Sequence, residues 1–232
     1  MSAQKHLRTL SFFLLLVVAQ LALTGCRSRG GAGPAEAGVM AQVNGYKVLR
    51  SELDKAYNTQ VAGAPQKPSS TQEEGIRLQI LDQIIQTRMI LQRAEKLGVK
   101  PNPDDVQAKF TKAKALYTQE QFQKKLKDIG LSEDEYKTYL EHEVTVEKVL
   151  EKEIKPRVNV SEADVNAFYD QNKAQIPPSA DESEVKRQIR EKLRSELEQV
   201  LQVAYTDELR NDAEVHNYYA EQVLNTHKAE SK

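Results

Sequence analysis

The stretch VMAQVNGYKVLRSELDKAY, residues 39–57, contains the signals that decide how the fold begins. Small apolar residues recur in it at every second position, the period of a half-buried strand. They are Val39, Ala41 and Val43, with Met40 and Gln42 between them. Asn44-Gly45 then predicts a tight turn into a short return strand, because both residues tolerate positive φ. Ser51 is placed to cap a first helix directly afterwards.

Six further helices are predicted from start signals along the rest of the chain. Most of these starts pair a capping side chain with a polar residue three positions later. The starts are Thr71 with Glu74, Asn102 with Pro103, Thr118 with Gln121, Ser132 with Glu135, Ser161 with Asp164, and Asp181 with Glu184. Phe110 and Leu116 are predicted to lie on the inner face of the helix that starts at Pro103. The chain is therefore expected to be mainly helical.

The last predicted helix is the longest and begins after Asp181. About 30 residues at 1.5 Å each make a rod of roughly 45 Å, so it must pack along several helices or against another chain. Residues 213–219 then alternate like a short strand, whose natural partner is the strand at 39–43. From about residue 222 the chain is polar and is expected to fray. These features predict a mainly α fold with a small β element that pairs N- and C-terminal strands.

The first 25 residues have the pattern of a bacterial signal peptide. A short basic region with Lys5 and Arg8 precedes an apolar run over residues 10–23, which is too short for a spanning helix. Leu23-Thr24-Gly25-Cys26 resembles the lipobox of bacterial lipoproteins, which implies that Cys26 receives a lipid such as a diacylglyceryl group with palmitate. The alternative is an uncleaved anchor with an incidental cysteine. Residues 26–38, rich in Gly and Ala, are predicted to be a flexible tether.

Composition and motifs argue against several classes of function. The chain has 33 basic and 34 acidic residues, so no excess of positive charge predicts nucleic-acid binding. Cys26 is the single cysteine, so the chain cannot form an internal disulfide. Glu141-His142-Glu143 is predicted to lie mid-helix, where the three side chains cannot all face one metal ion. No phosphate loop or catalytic combination is recognisable, and Gly130 is the last glycine. We therefore expect no cofactor, no metal and no enzymatic activity.

Four segments, in order and at family-like spacing, resemble SurA-type periplasmic chaperones and PrsA-type lipoprotein foldases. They are VMAQVNGYKVLRSELDKAYN, LDQIIQTRMILQRAEKLGVKPNPDDVQAKF, LKDIGLSEDEYKTYLEHEVTVEKVLEKEI and VNVSEADVNAFYDQNKAQ. The resemblance covers about residues 39–175. In foldases of this family a parvulin prolyl-isomerase domain follows the fourth segment, whereas here residues 176–181 run directly into the long helix. The resemblance therefore implies a chaperone module at 39–220, without the isomerase and with a polar tail at 221–232.

Two functional hypotheses follow from the resemblance. The first is a membrane-anchored, ATP-independent holding chaperone (holdase) for unfolded exported or outer-membrane proteins. Its candidate client-facing residues are apolar side chains that fit a single helical stripe poorly: Met89, Tyr117, Phe122, Tyr139 and Tyr169. The alternative is a structural or assembly lipoprotein that binds one dedicated partner through its long last helix, and that helix also leaves a homodimer open. In a Gram-negative source, Arg27 after the cysteine favours the periplasmic face of the outer membrane.

Overall fold

A computed structural model describes residues 38–62 and 66–231, with the side chain of Glu230 excepted. These residues belong to one of the two units into which the chain divides, the unit from Pro34 to Lys232. The predicted signal peptide at 1–25, Cys26 and the tether up to residue 37 lie outside the described residues.

The described chain contains three strands and eight α-helices. The strands are β1 Val39–Val43, β2 Tyr46–Leu49 and β3 Val215–His216. The helices are α1 Arg50–Val61, α2 Ser70–Leu97, α3 Pro103–Lys114, α4 Gln119–Asp128, α5 Glu133–Glu153, α6 Glu162–Asn172, α7 Glu182–Asn211 and α8 Tyr218–Glu230. Short 3₁₀ turns occur at Lys155–Arg157 and Lys173–Gln175. The prediction of a mainly helical fold with a small β element and a long C-terminal helix is confirmed.

The sheet joins the two ends of the domain, as predicted. Its strand order is β2-β1-β3 with both pairings antiparallel, and Val43 of β1 lies opposite Val215 of β3. Asn44 and Gly45 form the turn between β1 and β2 with φ values of 48° and 85°. The Asn44 backbone N–H also donates to the carbonyl oxygen of Glu214 at 2.8 Å, so this turn connects both neighbours of β1.

Burial in β1 differs from the predicted alternation. Val39, Met40, Ala41 and Val43 are all buried, whereas only Gln42 is partly exposed. The pairing with β2 is irregular between Val39 and Ala41, which displaces Met40 from a regular position. Helices α1, α2 and α8 all contact β1 and cover more of it than a half-exposed strand would allow.

Two predicted helix starts are wrong. Helix α1 begins directly from Leu49, which makes no side-chain cap, because β2 runs into the helix before Ser51. Helix α2 begins from Ser69, whose hydroxyl accepts from the N–H of Gln72 while the Gln72 side chain accepts from the N–H of Ser69. This capping box forms two residues before the predicted pair of Thr71 and Glu74.

The other predicted caps are confirmed. Side chains at the helix starts accept hydrogen bonds from first-turn N–H groups in α3, α4, α5, α6 and α7. They belong to Asn102, Thr118, Ser132, Ser161 and Asp181. Gly98 ends α2 in the left-handed conformation with φ of 64°. These local signals set the bounds of the central helices.

The C-terminal prediction is wrong in two respects. The strand expected over residues 213–219 is limited to Val215 and His216. The tail expected to fray from about residue 222 instead forms helix α8, with Val223 buried. The helix starts because the Asn217 side chain accepts from the N–H of Ala220, and His227 contacts Glu74 of α2 at 2.6 Å.

Four clusters of buried side chains make up the core. The first joins the sheet, α1 and α2, and the second joins α3, α4 and α5. The third joins α2, α5 and the C-terminal half of α7, and the fourth joins α6 to the N-terminal half of α7. Their most buried members are Ala41, Val43, Val48, Leu53, Leu81 and Ile85 in the first, Val144 in the second, Val149 and Ile154 in the third, and Val165 in the fourth. The apolar core is thus divided along the length of the domain.

Helix α7 links two of these clusters, which confirms that it packs along several helices. Ile189 packs with Val165 and Tyr169 of α6, whereas Tyr205 packs with residues of α2 and α5. None of the described side chains over residues 190–204 is buried. Residues 162–193 therefore form an α6–α7 arm with a core of its own. No helix in the described part of the chain combines the length and hydropathy needed to cross a membrane.

Candidate functional site

Exposed aromatic and apolar side chains gather where α3, α4 and α5 meet. Helix α3 ends at Lys114, and the next residues lead to Thr118, which caps α4. Leu116 and Tyr117 lie in this connection, and Tyr136 and Tyr139 lie in the first two turns of α5. We call Leu116, Tyr117, Tyr136 and Tyr139 the aromatic patch.

The patch rests on two buried phenylalanines. The ring centroids of Phe110 and Phe122 are 5.7 Å apart in an edge-to-face arrangement. Tyr136 lies 6.2 Å from Phe110 and 6.0 Å from Phe122 and stacks on Tyr139 at 6.3 Å. Such pairs add attraction beyond the area that they bury. The buried rings therefore hold Tyr136, and through it Tyr139, in a defined position.

Exposure distinguishes the patch from the core beneath it. Leu116 exposes 74% of its surface, Tyr139 exposes 59% and Tyr117 exposes 37%. Phe110 and Phe122 expose 6% and 4%. Leu116 was predicted to lie on the inner face of α3, and this is wrong because the helix ends two residues before it. Covering an apolar side chain with this exposure by another chain is favourable, because it removes apolar surface from water.

Three lysines lie over the rings of this region. The Nζ of Lys137 is 4.9 Å from the centroid of Phe110, and that of Lys125 is 4.8 Å from Tyr117. The Nζ of Lys114 lies 5.8 Å from both Phe110 and Phe122. Ammonium groups at such distances are attracted by the ring faces. The patch thus combines apolar surface with positive charge.

A shallow groove runs beside the patch on α3. Its volume is about 330 Å³, and it is lined by Gln107, Phe110, Thr111, Lys114 and Ala115. Burial raises the pKa of the Tyr136 phenol, and nearby Glu143, Tyr139 and Tyr117 raise it further. The phenol is therefore neutral at physiological pH and can donate a hydrogen bond.

The region that matches known proteins includes this patch. The family model of the SurA-like N-terminal domain matches residues 2–150. The chain belongs to the family of SurA-like N-terminal domains. The resemblance to SurA-type and PrsA-type proteins is confirmed.

Curated relatives of this SurA-like chain are foldases by name. The foldase protein PrsA of Clostridium botulinum strain Langeland is 27% identical over 188 residues, which cover 73% of this chain and 56% of the relative. The foldase protein PrsA of Clostridium kluyveri is 28% identical over 193 residues, with the same shares of 73% and 56%. The chain thus spans about half the length of the curated relatives it matches. These relatives support a chaperone and foldase family.

The five predicted client-facing residues of the SurA-like domain fall into two groups. Met89, Phe122 and Tyr169 expose less than a tenth of their surface and belong to three different core clusters. They stabilise the fold and do not present a surface to a client in this structure. Tyr117 and Tyr139 are exposed and lie in the aromatic patch. Their role in client binding stays a prediction.

Sequence reasoning missed Leu116 as a surface residue and did not identify Tyr136 as the support of Tyr139. The signal for Leu116 was available, because Thr118 caps α4 only two positions later and leaves no room for α3 to continue. Tyr136 carries no such local signal. Its partial burial depends on Phe110 and Phe122, which lie on two other helices.

A second exposed apolar surface lies on α7. Val200 and Val203 each expose 64% of their surface, on the segment between the α6–α7 arm and the third core cluster. Ala204 continues the same face one turn after Val200. This is the helix that was predicted to bind a dedicated partner.

The run Glu141-His142-Glu143 lies within helix α5. Within the described chain, no three His, Cys, Asp or Glu side chains are grouped so that they could hold an ion. Glu143 instead accepts a hydrogen bond from Lys109 at 2.6 Å. Burial lowers the pKa of His142, and neighbouring Arg88 lowers it further.

Proposed function

We propose that this SurA-like chain is a membrane-anchored, ATP-independent holdase for unfolded exported or outer-membrane proteins, without prolyl-isomerase activity. One observation carries the proposal: a chaperone-family domain exposes Leu116 and Tyr117 in the connection between α3 and α4, and Tyr139 on α5 where it stacks on Tyr136. Large exposed apolar side chains that lie side by side are typical of protein-binding surfaces.

The holding mechanism follows from the composition of the patch. An unfolded segment that covers Leu116 and Tyr139 removes apolar surface from water on both molecules. Such contacts have little directionality and so accept many sequences. Bound segments are kept apart from one another, which slows aggregation without ATP.

The absence of isomerase activity is proposed from the connection between α6 and α7. The resemblance places a parvulin domain at this position in the foldases. Here Gln175 ends a 3₁₀ turn and α7 begins at Glu182, so six residues form the connection. A refolding reaction limited by prolyl isomerisation tests this point, and we expect no acceleration by the chain.

Membrane attachment is proposed through lipid on Cys26, with a periplasmic outer-membrane location in a Gram-negative source. Two or more acyl chains give stable anchorage that a single chain does not. Mass spectrometry of the chain from an export-competent host should show the added acyl mass on a peptide that begins with Cys26. A Cys26→Ser variant should be released into the soluble fraction.

The holding function is tested with Leu116→Ser in the purified full chain. The readout is light scattering of a chemically unfolded client at increasing chaperone ratio. Burial of a large apolar side chain contributes about 1.5–3 kcal/mol, so losing most of it should weaken client affinity about tenfold. Tyr139→Ser should act in the same direction.

Leu224→Ser is the matched control, because Leu224 exposes 69% of its surface on α8, outside the patch. We expect this variant to suppress aggregation like the unchanged chain. Equal losses for Leu116→Ser and Leu224→Ser would remove the patch from the mechanism. No suppression by the unchanged chain at several-fold excess would refute the holdase.

The alternative function is a structural or assembly lipoprotein with one dedicated partner, and the exposed Val200 and Val203 on α7 favour it. The same apolar face also fits a homodimer. If the face binds a dedicated partner, Val200→Ser with Val203→Ser should abolish saturable one-to-one binding. If it forms a homodimer, the same double substitution should change the sedimentation of the chain. The holdase predicts that aggregation suppression survives this double substitution.

A further inference from the structure

We propose that the aromatic patch selects segments of unfolded polypeptide in which a carboxylate lies beside large apolar side chains. This inference rests on the proposed holding function and specifies its client class. It is argued from the lysines that lie over the rings of this region and from the contacts that the surrounding acidic side chains make.

Two nearby carboxylates, those of Glu133 and Glu143, contact other groups. Glu133 accepts a hydrogen bond from Gln123 at 2.6 Å and lies 3.7 Å from Lys114. Glu143 accepts from Lys109 at 2.6 Å. Their negative charge is thus balanced by lysines that do not lie over the exposed rings of the patch.

Two patch lysines keep their charge available. Within the described chain no ion pair involves Lys125 or Lys137. Lys125 lies over the exposed Tyr117, and Lys137 neighbours Tyr136 in α5 and lies over Phe110. Attraction to the ring faces holds both ammonium groups at the edge of the apolar surface. This region therefore presents two ammonium groups that form no ion pair with any acidic group of the described chain.

Exposed aromatic surface beside ammonium groups is complementary to a segment with an apolar side chain beside a carboxylate. An apolar client side chain can cover Tyr117 or the exposed face of Tyr139, while an adjacent carboxylate approaches Lys125 or Lys137. A basic residue at the same place would meet like charge and would be disfavoured. The patch should thus distinguish apolar segments by the sign of their flanking charge.

The test uses the full chain and three fluorescein-labelled peptides with the same apolar core. Their flanking residues are Asp, Asn or Lys, and binding is measured by fluorescence anisotropy at low and high salt. We expect the Asp peptide to bind about tenfold more tightly than the Lys peptide, because attraction by the exposed Lys125 and the half-buried Lys137 replaces repulsion. The preference should shrink at high salt because exposed charges are screened.

The variant Lys125→Gln with Lys137→Gln should lose this preference while its apolar binding remains. The matched control is Lys100→Gln with Lys152→Gln, which changes the net charge equally at two exposed lysines outside the patch. It should keep the preference. Circular dichroism melting of both variants checks that neither change unfolds the domain.

Other outcomes overturn the inference. Equal affinity for the Asp and Lys peptides, with aggregation still suppressed, refutes charge selection and leaves the holdase intact. If the preference for the Asp peptide survives Lys125→Gln with Lys137→Gln, another surface of the chain causes it. Binding of phosphatidylglycerol vesicles at the patch without peptide binding would make it a membrane contact instead. Failure of both peptide binding and aggregation suppression refutes the holdase as well.

Discussion

Replacing Asn44 should show how strongly the turn after β1 holds the two ends of the domain together. The Asn44 side chain accepts a hydrogen bond from the N–H of Glu214 at 2.8 Å and donates one to Gln92 at 2.7 Å. It thus contacts the segment before β3 and helix α2 while its own backbone lies at φ of 48°. One side chain connects three parts of the fold.

The expected loss of unfolding free energy has two contributions, the lost hydrogen bonds and the left-handed backbone conformation of residue 44. Each net hydrogen bond contributes about 0.5–1.5 kcal/mol, so the loss of two in Asn44→Gly should cost about 1–3 kcal/mol of unfolding free energy. Asn44→Ala loses the same hydrogen bonds. It also places alanine, which has a Cβ and no polar group to stabilise this conformation, in the left-handed region, and this costs about 1 kcal/mol more. The alanine variant should therefore be the less stable of the two.

The assay is equilibrium denaturation followed by circular dichroism, with amide exchange as a local readout. Exchange of the Glu214 amide should speed up in both variants, because it loses its acceptor. Asn58→Ala is the control, an exposed position within α1 that should change stability little. Unchanged stability in Asn44→Ala, or a glycine variant less stable than the alanine variant, would refute this account of the turn.

Three other changes test the arm, a helix end and an ion pair. Val165→Ala should cost about 1–3 kcal/mol and speed amide exchange in α6 and the first half of α7 but not in α2, because the arm has its own core. Gly98→Ala should lower the unfolding free energy, measured by denaturant titration, by about 1 kcal/mol, since its φ is 64°. A hydrogen bond from Lys55 holds the pKa of Glu135 at about 2, so the stability this pair contributes is present above pH 4.5 and lost as pH falls towards 2. Lys55→Met should raise that pKa in an NMR titration and weaken this acid dependence.

Local chemistry explains which parts of the fold were predictable. Thr118, Ser132 and Ser161 cap helices exactly where their spacing to the next polar residue indicates, because a capping box involves only four consecutive residues. The start of α2 was displaced by two residues, since Ser69 and Thr71 both offer a capping hydroxyl and a polar residue three positions on. Competing signals of the same kind cannot be ranked from the sequence.

The candidate site was predictable only in part. Tyr117 and Tyr139 were selected because they fit the helical stripes poorly, and both are exposed. Met89, Phe122 and Tyr169 were selected for the same reason, but helices distant in the sequence cover them. Periodicity reports the environment along one helix and carries no information about which other helix packs against it.

The sequence by itself determined the existence of helices α1 to α7, most of their starts and the pairing of the chain ends through β1. These depend on backbone geometry, capping and periodicity over a few residues. Only the tertiary structure decided that Leu116 is exposed, that Tyr136 supports Tyr139, and that Lys125 and Lys137 lie over aromatic rings. These contacts arise where three helices converge, and the free energy of each side chain there depends on neighbours that the chain brings together only when it folds.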